Sequence, residues 1–296
     1  MGLGPSAVKL KLELWQRGYF KNIKSVAEIG SQEVHMQTSD FDQLVKSVGI
    51  SNYQKDKFVN LANWPNHPRC PARNFYEMLG IEKYICVDIN GDHGAIKLDL
   101  NYPLEDKSFY NQFDLVTDHG CNEHVFNVSE AYRTLHRLCK PGGLIIISQS
   151  VWGGNGYFLF DLSFFEGIAG ANNYKILFSS YIVTLNKKAS SGSENQFHIP
   201  LSRELLNSVN LSQMSEVGVC YVLQKQTADD FKYPYQGPSM SQMEGHEGFD
   251  LQFLPNPPSR SYVPVAFQTT RTKTLLKIVA DRIIKKIKNK FNKFRF

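Results

Sequence analysis

The sequence has no run of about 18 uncharged apolar residues, which is the length that a membrane-spanning helix needs. Its amino terminus also lacks the basic, apolar and small-residue order of a secretory signal peptide. With 42% hydrophobic residues over 296 positions, the chain can still bury a substantial core. These features predict a globular cytoplasmic protein.

Cysteine is scarce, with five residues that are widely separated and show no CxxC pair. Zinc sites and disulfide frameworks normally use closely spaced or regularly paired cysteines. We therefore expect reduced thiols and no metal site. The five residues are Cys70, Cys86, Cys121, Cys139 and Cys220.

Basic charge is sparse over most of the chain, although the net charge is +5. Residues 271–296 hold ten Lys or Arg and one Asp, so this segment carries +9 and the rest of the chain carries −4. A mildly acidic body makes nucleic acid an unlikely partner. Apolar residues recur at near-helical spacing across 273–296, which predicts a basic amphipathic helix. Such a helix suits either the anionic inner face of a membrane or packing on its own domain.

Apolar, β-branched runs alternate with helix-like segments from Ser25 to Gln224, a pattern typical of an α/β sheet. The pattern predicts a Rossmann-like, seven-stranded, mostly parallel sheet with helices on both faces. We expect this domain to span 1–225 with an insertion at about 36–69, followed by an irregular segment, 226–270, and the basic helix, 271–296. The predicted strands are Val26–Gly30, Tyr84–Ile89, Ala95–Leu98, Phe113–Thr117, Leu144–Ser148, Tyr174–Leu185 and Val217–Leu223.

The G-x-G-x-x-G fingerprint of dinucleotide-binding proteins is missing after the first predicted strand. Glu28 and Glu33 flank a turn that holds the single glycine Gly30, and a second carboxylate, Asp88, follows the next strand. Doubly wound folds bind nucleosides at these two places, and Asp88 could accept both hydrogen bonds of a ribose diol. Acidic residues at the turn favour a ligand that bears positive charge over the pyrophosphate of NAD.

Five short blocks in order resemble the class I S-adenosylmethionine-dependent methyltransferases. The resemblance implies that the Glu28–Gly30 turn contacts the amino-acid part of S-adenosylmethionine, that Asp88 binds its ribose, and that Asp99 reaches its adenine. Asp118 would border the place where donor and acceptor meet. The blocks are Val26–Ser31, Val87–Ile89, Leu98–Leu100, Phe113–Asp118 and Leu138–Gly143.

The segment Asp118–Asn127 looks like the Glu-His-Val-Phe-Asn region of methyltransferases associated with polysaccharide or secondary-metabolite assembly. That likeness implies a small-molecule or saccharide acceptor. Since a hydroxyl acceptor needs a base near neutral pH, His119 and His124 are the candidates, and Glu123 is a candidate acceptor contact.

An aromatic and glycine-rich block follows the fifth predicted strand, where the resemblance places acceptor contacts. Trp152, Asn155 and Tyr157 are the predicted contacts in this block, since rings there could stack on a flat acceptor. The competing functions are a non-catalytic methyltransferase-like binding module, an NAD-dependent oxidoreductase and an RNA methyltransferase.

Overall fold

The computed structural model describes residues 2–59, 61, 70–185, 196–202 and 214–236. The predicted basic helix, 271–296, lies outside the described residues, and the predicted irregular segment is described only as far as residue 236. Within the described part, no helix is both long enough and apolar enough to cross a membrane.

Seven strands form one mixed sheet in the order β2-β1-β3-β4-β7-β5-β6. Strands β1 to β4 run parallel to one another, whereas β7 is antiparallel to both β4 and β5, and β6 is antiparallel to β5. The predicted fold class is therefore confirmed. The strands are β1 Ser25–Ile29, β2 Lys83–Val87, β3 Phe113–His119, β4 Cys139–Trp152, β5 Lys175–Leu185, β6 Gln196–Ile199 and β7 Met214–Gln224.

One predicted strand, Ala95–Leu98, is wrong. Only Ile96 pairs with the sheet there: its N–H donates to Cys86, and its carbonyl accepts from the Asp88 N–H. Left-handed backbone at His93 and Gly94 brings the chain to this point abruptly, so only one residue aligns with β2. The seventh strand is instead β6.

Helices cover both faces of the sheet, because alternate residues of the central strands point to opposite sides. Val26 of β1 packs in a core with α1, α2 and α3, while its neighbour Ala27 packs in a second core with α4 and α5. The helices are α1 Pro5–Gln16, α2 Thr38–Ser47, α3 Ala72–Met78, α4 Val128–Leu138 and α5 Leu162–Ala171.

The predicted insertion after β1 contains regular secondary structure, namely α2 and a 3₁₀ turn, Lys55–Phe58. Phe41 of α2 stacks on Phe58 of that turn, with ring centroids 4.7 Å apart. Both rings are buried, so the described part of the insertion extends the core on the α1 face of the sheet.

The amino-terminal arm, residues 2–6, runs into the first turn of α1 and crosses the edge of the sheet at which the parallel strands end. Leu3 forms a parallel bridge with Val34, just beyond the turn that follows β1. At the other end of the arm, Ser6 Oγ donates to the side-chain oxygen of Gln196 on β6. The arm therefore connects the first strand's turn to the far edge of the sheet, and it brings α1 over the intervening strands.

Candidate active site

The turn after β1 is built around Gly30, whose φ of +84° is in the left-handed region. A Cβ at this position would lie 2.7 Å from Gln32 Nε2 and 3.2 Å from Cys121, so only glycine fits without displacing a neighbour. Gln32 folds back and donates to the Ile29 carbonyl. The turn after β1 therefore touches the turn after β3, where Cys121 lies.

Glu28 lies below this turn and has no exposed surface. Its carboxylate accepts hydrogen bonds from the hydroxyls of Tyr84 at 2.5 Å and Tyr76 at 3.2 Å. Burial raises the pKa of Glu28 to about 7, against the hydrogen bonds and the nearby Lys11 ammonium, which lower it. These groups enclose the side chain, so its carboxylate makes its hydrogen bonds within the protein.

Asp88 follows β2 and stands beside the same turn. One carboxylate oxygen accepts from the backbone N–H of Ser31 at 2.9 Å and from its hydroxyl at 3.0 Å, and the other accepts from the Asn90 N–H at 3.1 Å. An ionised carboxylate offers about four acceptor positions. One acceptor position of the Asp88 carboxylate therefore remains. The Ser31 hydroxyl also lies 3.2 Å from Asn90 Oδ1, so it can donate to Asn90 instead and open a second position on Asp88.

Asp99 lies further along the same edge and is half-buried. Its Oδ1 accepts from both the backbone and side-chain N–H groups of Asn101, at 2.9 and 2.8 Å. Asn101 in turn holds the loop before α4, since its side-chain oxygen accepts from the Asn127 N–H. Among the described residues, Asp99 Oδ2 accepts no hydrogen bond, so it is available to a ligand's amino group.

Asp118, near the end of β3, is fully buried. Its Oδ1 accepts from the backbone N–H groups of Cys121 and Asn122, and its Oδ2 accepts from the side-chain amide of Gln149. Burial raises the pKa of Asp118 to about 7. These contacts assign its carboxylate to holding the turn after β3, which in turn presses against Gly30.

A cavity of about 740 Å³ opens at the carboxyl ends of β3 and β4. The amino-terminal arm, β5 and β7 supply its other walls. The cavity adjoins the turn after β1. Its lining residue Gly120 is followed directly by Cys121, which packs against Gly30. Of the predicted site residues, the cavity is lined by His119, Glu123, His124 and Asn155.

His119 contacts a residue that the sequence did not single out. Its Nε2 lies 2.6 Å from the ammonium of Lys11, which α1 brings into the core with no exposed surface. Burial, together with the Lys11 charge, lowers the pKa of His119 well below its usual value. Burial also lowers the pKa of Lys11 to about 8, so Lys11 keeps its proton at neutral pH. Its ammonium therefore donates a hydrogen bond to Nε2. His119 is therefore a neutral ring whose Nε2 is already engaged.

Glu123 and His124 lie in a 3₁₀ turn, Asn122–His124, beyond β3. The Glu123 carboxylate accepts from the backbone N–H of Ser150 at 2.8 Å, and it lies 3.7 Å from His124 Nε2. Gly156 makes room for this carboxylate, since a Cβ there would lie 2.8 Å from the Glu123 side chain. His124 is about one third exposed and lies within reach of a molecule in the cavity.

The aromatic block after β4 divides between the cavity and the surface. Asn155 lines the cavity, whereas Trp152 and Tyr157 do not. Tyr157 is 72% exposed and meets the edge of Phe126, itself 76% exposed, at 6.0 Å between ring centroids. The structure thus brings Asn155 together with the histidines and leaves the two rings on the outer surface.

The sequence interpretation missed three residues of this region. Lys11 lies on a helix that was not predicted, Gln149 directly follows the predicted strand that ends at Ser148, and Glu216 stands one position before the predicted last strand. Only Glu216 left a signal, as a lone carboxylate at a strand end on the cavity side.

Comparison with known proteins identifies the central part of this region. Residues 81–147, which run from β2 into β4, match a family model described as a methyltransferase domain. The match agrees with the sequence resemblance in this part of the chain, where both indicate a methyltransferase domain. S-adenosylmethionine is the cofactor that the acidic turn and the motif order predict. No curated protein matches the sequence.

The chain is also similar to solved structures at low identity. An S-adenosylmethionine-dependent methyltransferase from Archaeoglobus fulgidus is 17% identical, with a TM-score of 0.35 over 74% of this chain and 93% of the other. A 1,6-didemethyltoxoflavin N1-methyltransferase from Burkholderia thailandensis is 11% identical, with a TM-score of 0.32 over 75% and 80%. TM-scores of this size carry no information on the acceptor.

The edge of the sheet that holds the turn after β1, Asp88 and Asp99 has the hydrogen-bonding groups and the charge that S-adenosylmethionine requires. Asp88 and Asp99 retain acceptor positions, and the ligand's ribose and adenine offer hydroxyl and amino donors. Acidic side chains at the edge suit the ligand's positive sulfonium and ammonium groups. The donor and acceptor chemistry of these residues therefore fits the cofactor.

Proposed function

We propose that the protein transfers a methyl group from S-adenosylmethionine to a hydroxyl group of a small-molecule or saccharide acceptor. The observation that supports this most directly is the cavity of about 740 Å³, which is lined by both candidate bases, His119 and His124, and lies against the turn after β1. When bound, S-adenosylmethionine supplies an activated methyl group on its sulfonium. The protein's part is to align the acceptor and to remove its proton.

The turn after β1 and the two edge carboxylates would hold the cofactor. In this proposal the backbone at Gly30 faces its amino-acid part, Asp88 takes the ribose hydroxyls, and Asp99 takes the adenine amino group. Asp118 would contribute through the turn after β3, whose backbone N–H groups it holds, and the Glu28 carboxylate is enclosed by the protein's own hydroxyls.

We assign the general base to His124 in preference to His119. Both histidines line the cavity, but the Lys11 ammonium already occupies His119 Nε2. His124 stands beside the Glu123 carboxylate, which can orient its ring and stabilise it when it takes a proton. In this arrangement His119 is a neutral wall of the cavity whose proton resides on Nδ1.

Asn155 would contact the acceptor inside the cavity, while Trp152 and Tyr157 would meet the part of it that extends outward. The exposed Tyr157–Phe126 pair supports this division, because two rings in edge contact form an apolar surface on which a flat acceptor can stack.

The test is methyl transfer from isotopically labelled S-adenosylmethionine to a panel of hydroxylated small molecules and sugars. We expect His124→Asn to lower kcat by about 100-fold while the affinity for S-adenosylhomocysteine stays within twofold, since a general base contributes at least that much. His119→Asn is the matched comparison and should lower kcat less.

Two results would contradict the proposal. Full turnover by His124→Asn would remove the base from this residue. Tight cofactor binding without transfer to any acceptor would instead favour a non-catalytic methyltransferase-like binding module.

A further inference from the structure

Two carboxylates converge on one hydroxyl inside the cavity. Ser150 Oγ on β4 donates to Glu216 Oε1 on β7 at 2.5 Å and lies 3.3 Å from Glu123 Oε1. A hydroxyl has only one proton, so it cannot satisfy both carboxylates at full strength. The three side chains all line the cavity, and they come from three different elements of the fold.

The charge around this pair is one-sided. Burial raises the pKa of Glu123, and the nearby Glu216 carboxylate adds to that rise. The residues that line the cavity within the described part of the chain include no lysine or arginine. Lys11 lies behind His119 and is buried, and the remaining ionisable groups that face the space are histidines, His35, His119 and His124. An anionic acceptor would therefore be repelled, and a cationic one attracted.

A second and independent feature points to a ligand with several donors. Gln149 lines the same cavity and is 97% buried, with 3% of its surface exposed. Its side-chain nitrogen donates to Asp118, which turns its oxygen the other way, and that oxygen has no hydrogen-bond partner among the described residues. A buried hydrogen-bond acceptor without a partner costs about 1–3 kcal/mol. Because Gln149 lines the cavity, a small rotation of its side chain would let a donor of the methyl acceptor satisfy this oxygen.

We infer that the acceptor carries a protonated amine near the hydroxyl that is methylated, and that Glu216 and Glu123 bind this amine. An ammonium group has three donors and no acceptor, which matches a site made of carboxylate and amide oxygens. The substrate class is thus an amino alcohol, of which an amino sugar is the saccharide form. This inference rests on the proposed function and narrows its acceptor.

The experiment compares amines with their N-acetyl forms on the full-length protein saturated with S-adenosylhomocysteine. Glucosamine and ethanolamine are the probes, and N-acetylglucosamine and N-acetylethanolamine are their uncharged partners. Binding is followed by saturation-transfer NMR in these samples. Methyl transfer is followed in separate samples that contain labelled S-adenosylmethionine in place of S-adenosylhomocysteine. We expect at least one amine to bind tenfold or more tightly than its N-acetyl form.

The variants identify the carboxylates responsible. Glu216→Gln keeps an acceptor for Ser150 Oγ but removes the charge, so the preference for the amine should fall to threefold or less. Glu82→Gln removes a carboxylate that pairs with Lys24 at the surface, outside the cavity lining, and should leave the preference unchanged.

Equal binding of amine and N-acetyl forms, absence of amine binding, or an unchanged preference in Glu216→Gln would overturn the inference. Transfer to neutral hydroxylated acceptors would then leave the proposed function standing. Failure of S-adenosylhomocysteine to bind in the same samples would instead count against the proposed function itself.

Discussion

The two halves of the active-site edge differ in how they are built. The half at β1 and β2 is made of residues that directly follow two neighbouring strands. Gly30 and Ser31 therefore meet Asp88 through the turns at the ends of those strands. The half at β3 and β4 is completed by distant parts of the chain, since Lys11 comes from α1 and Glu216 from β7. The difference teaches that the proposed cofactor side is encoded in short motifs, whereas the proposed acceptor side is encoded in the topology of the sheet.

The strongest test of this contrast is at Gly30, where we expect Gly30→Ala to lower the free energy of unfolding by about 3 kcal/mol. A left-handed conformation costs a side chain about 1–2 kcal/mol, and the new Cβ would also clash with Gln32 and Cys121. Gly49→Ala is the matched control, because Gly49 has a φ of +88° with open space around it, and should cost about 1 kcal/mol. Equal losses in urea unfolding would show that the two turns do not press together.

A second prediction uses the pH dependence of stability to distinguish the buried carboxylate of Glu28 from a carboxylate that is exposed to a ligand. Its folded pKa is raised to about 7, above the usual 4.5 of a glutamate, so its contribution to stability is fully present below pH 4.5 and is lost as pH rises through 7. The stability of Glu28→Gln relative to the wild type should therefore improve by about 2 kcal/mol between pH 5 and pH 8. Urea unfolding at both pH values measures this, and a difference that does not change with pH contradicts it.

The third prediction concerns the exposed end of the same motif. Asp88→Ala should weaken S-adenosylhomocysteine binding by more than tenfold, about 1.4 kcal/mol, because it removes the acceptor of the ribose hydroxyls. Calorimetric titration of the folded variant is the measurement. Asp92→Ala, which changes an exposed carboxylate in the loop that follows, is the control and should bind as the wild type does. Unchanged affinity in Asp88→Ala would remove this residue from the site.

The smallest effect is expected on the outer surface. Tyr157→Ala should leave both the free energy of unfolding and the cofactor affinity nearly unchanged, within about 0.5 kcal/mol, because its ring is largely exposed. Turnover of the acceptor should nevertheless fall, since the ring stands at the acceptor side. Loss of cofactor affinity in this variant would place Tyr157 on the other half of the edge.

The sequence predicted the central strands and the carboxylates at their ends because these features are local. Apolar, β-branched runs and the turn residues that follow them indicate where β1, β2, β3 and β4 end, and parallel strands that end together bring Asp88 and Gly30 to one edge. The seven-stranded sheet was anticipated on the same basis. The error at Ala95–Leu98 arose because a short apolar run looks like a strand whether or not it aligns with a neighbour.

The rest was not predictable because it depends on contacts between distant segments. In α1, Leu10, Leu12 and Leu14 alternate with charged residues, a period of two that is typical of a strand, yet the segment is a helix in which Lys11 and Glu13 are also buried. Tertiary packing overrides the local pattern there. The engagement of His119 by Lys11 follows from that packing, and no spacing in the sequence records it.

The central claim is that the edge formed by the Gly30 turn and Asp88 binds S-adenosylmethionine. Its most direct test is calorimetric titration of the purified protein with S-adenosylhomocysteine, S-adenosylmethionine and NAD. We predict micromolar binding of the two sulfur-containing ligands and none of NAD. Binding of NAD alone, or of none of the three, would contradict the account.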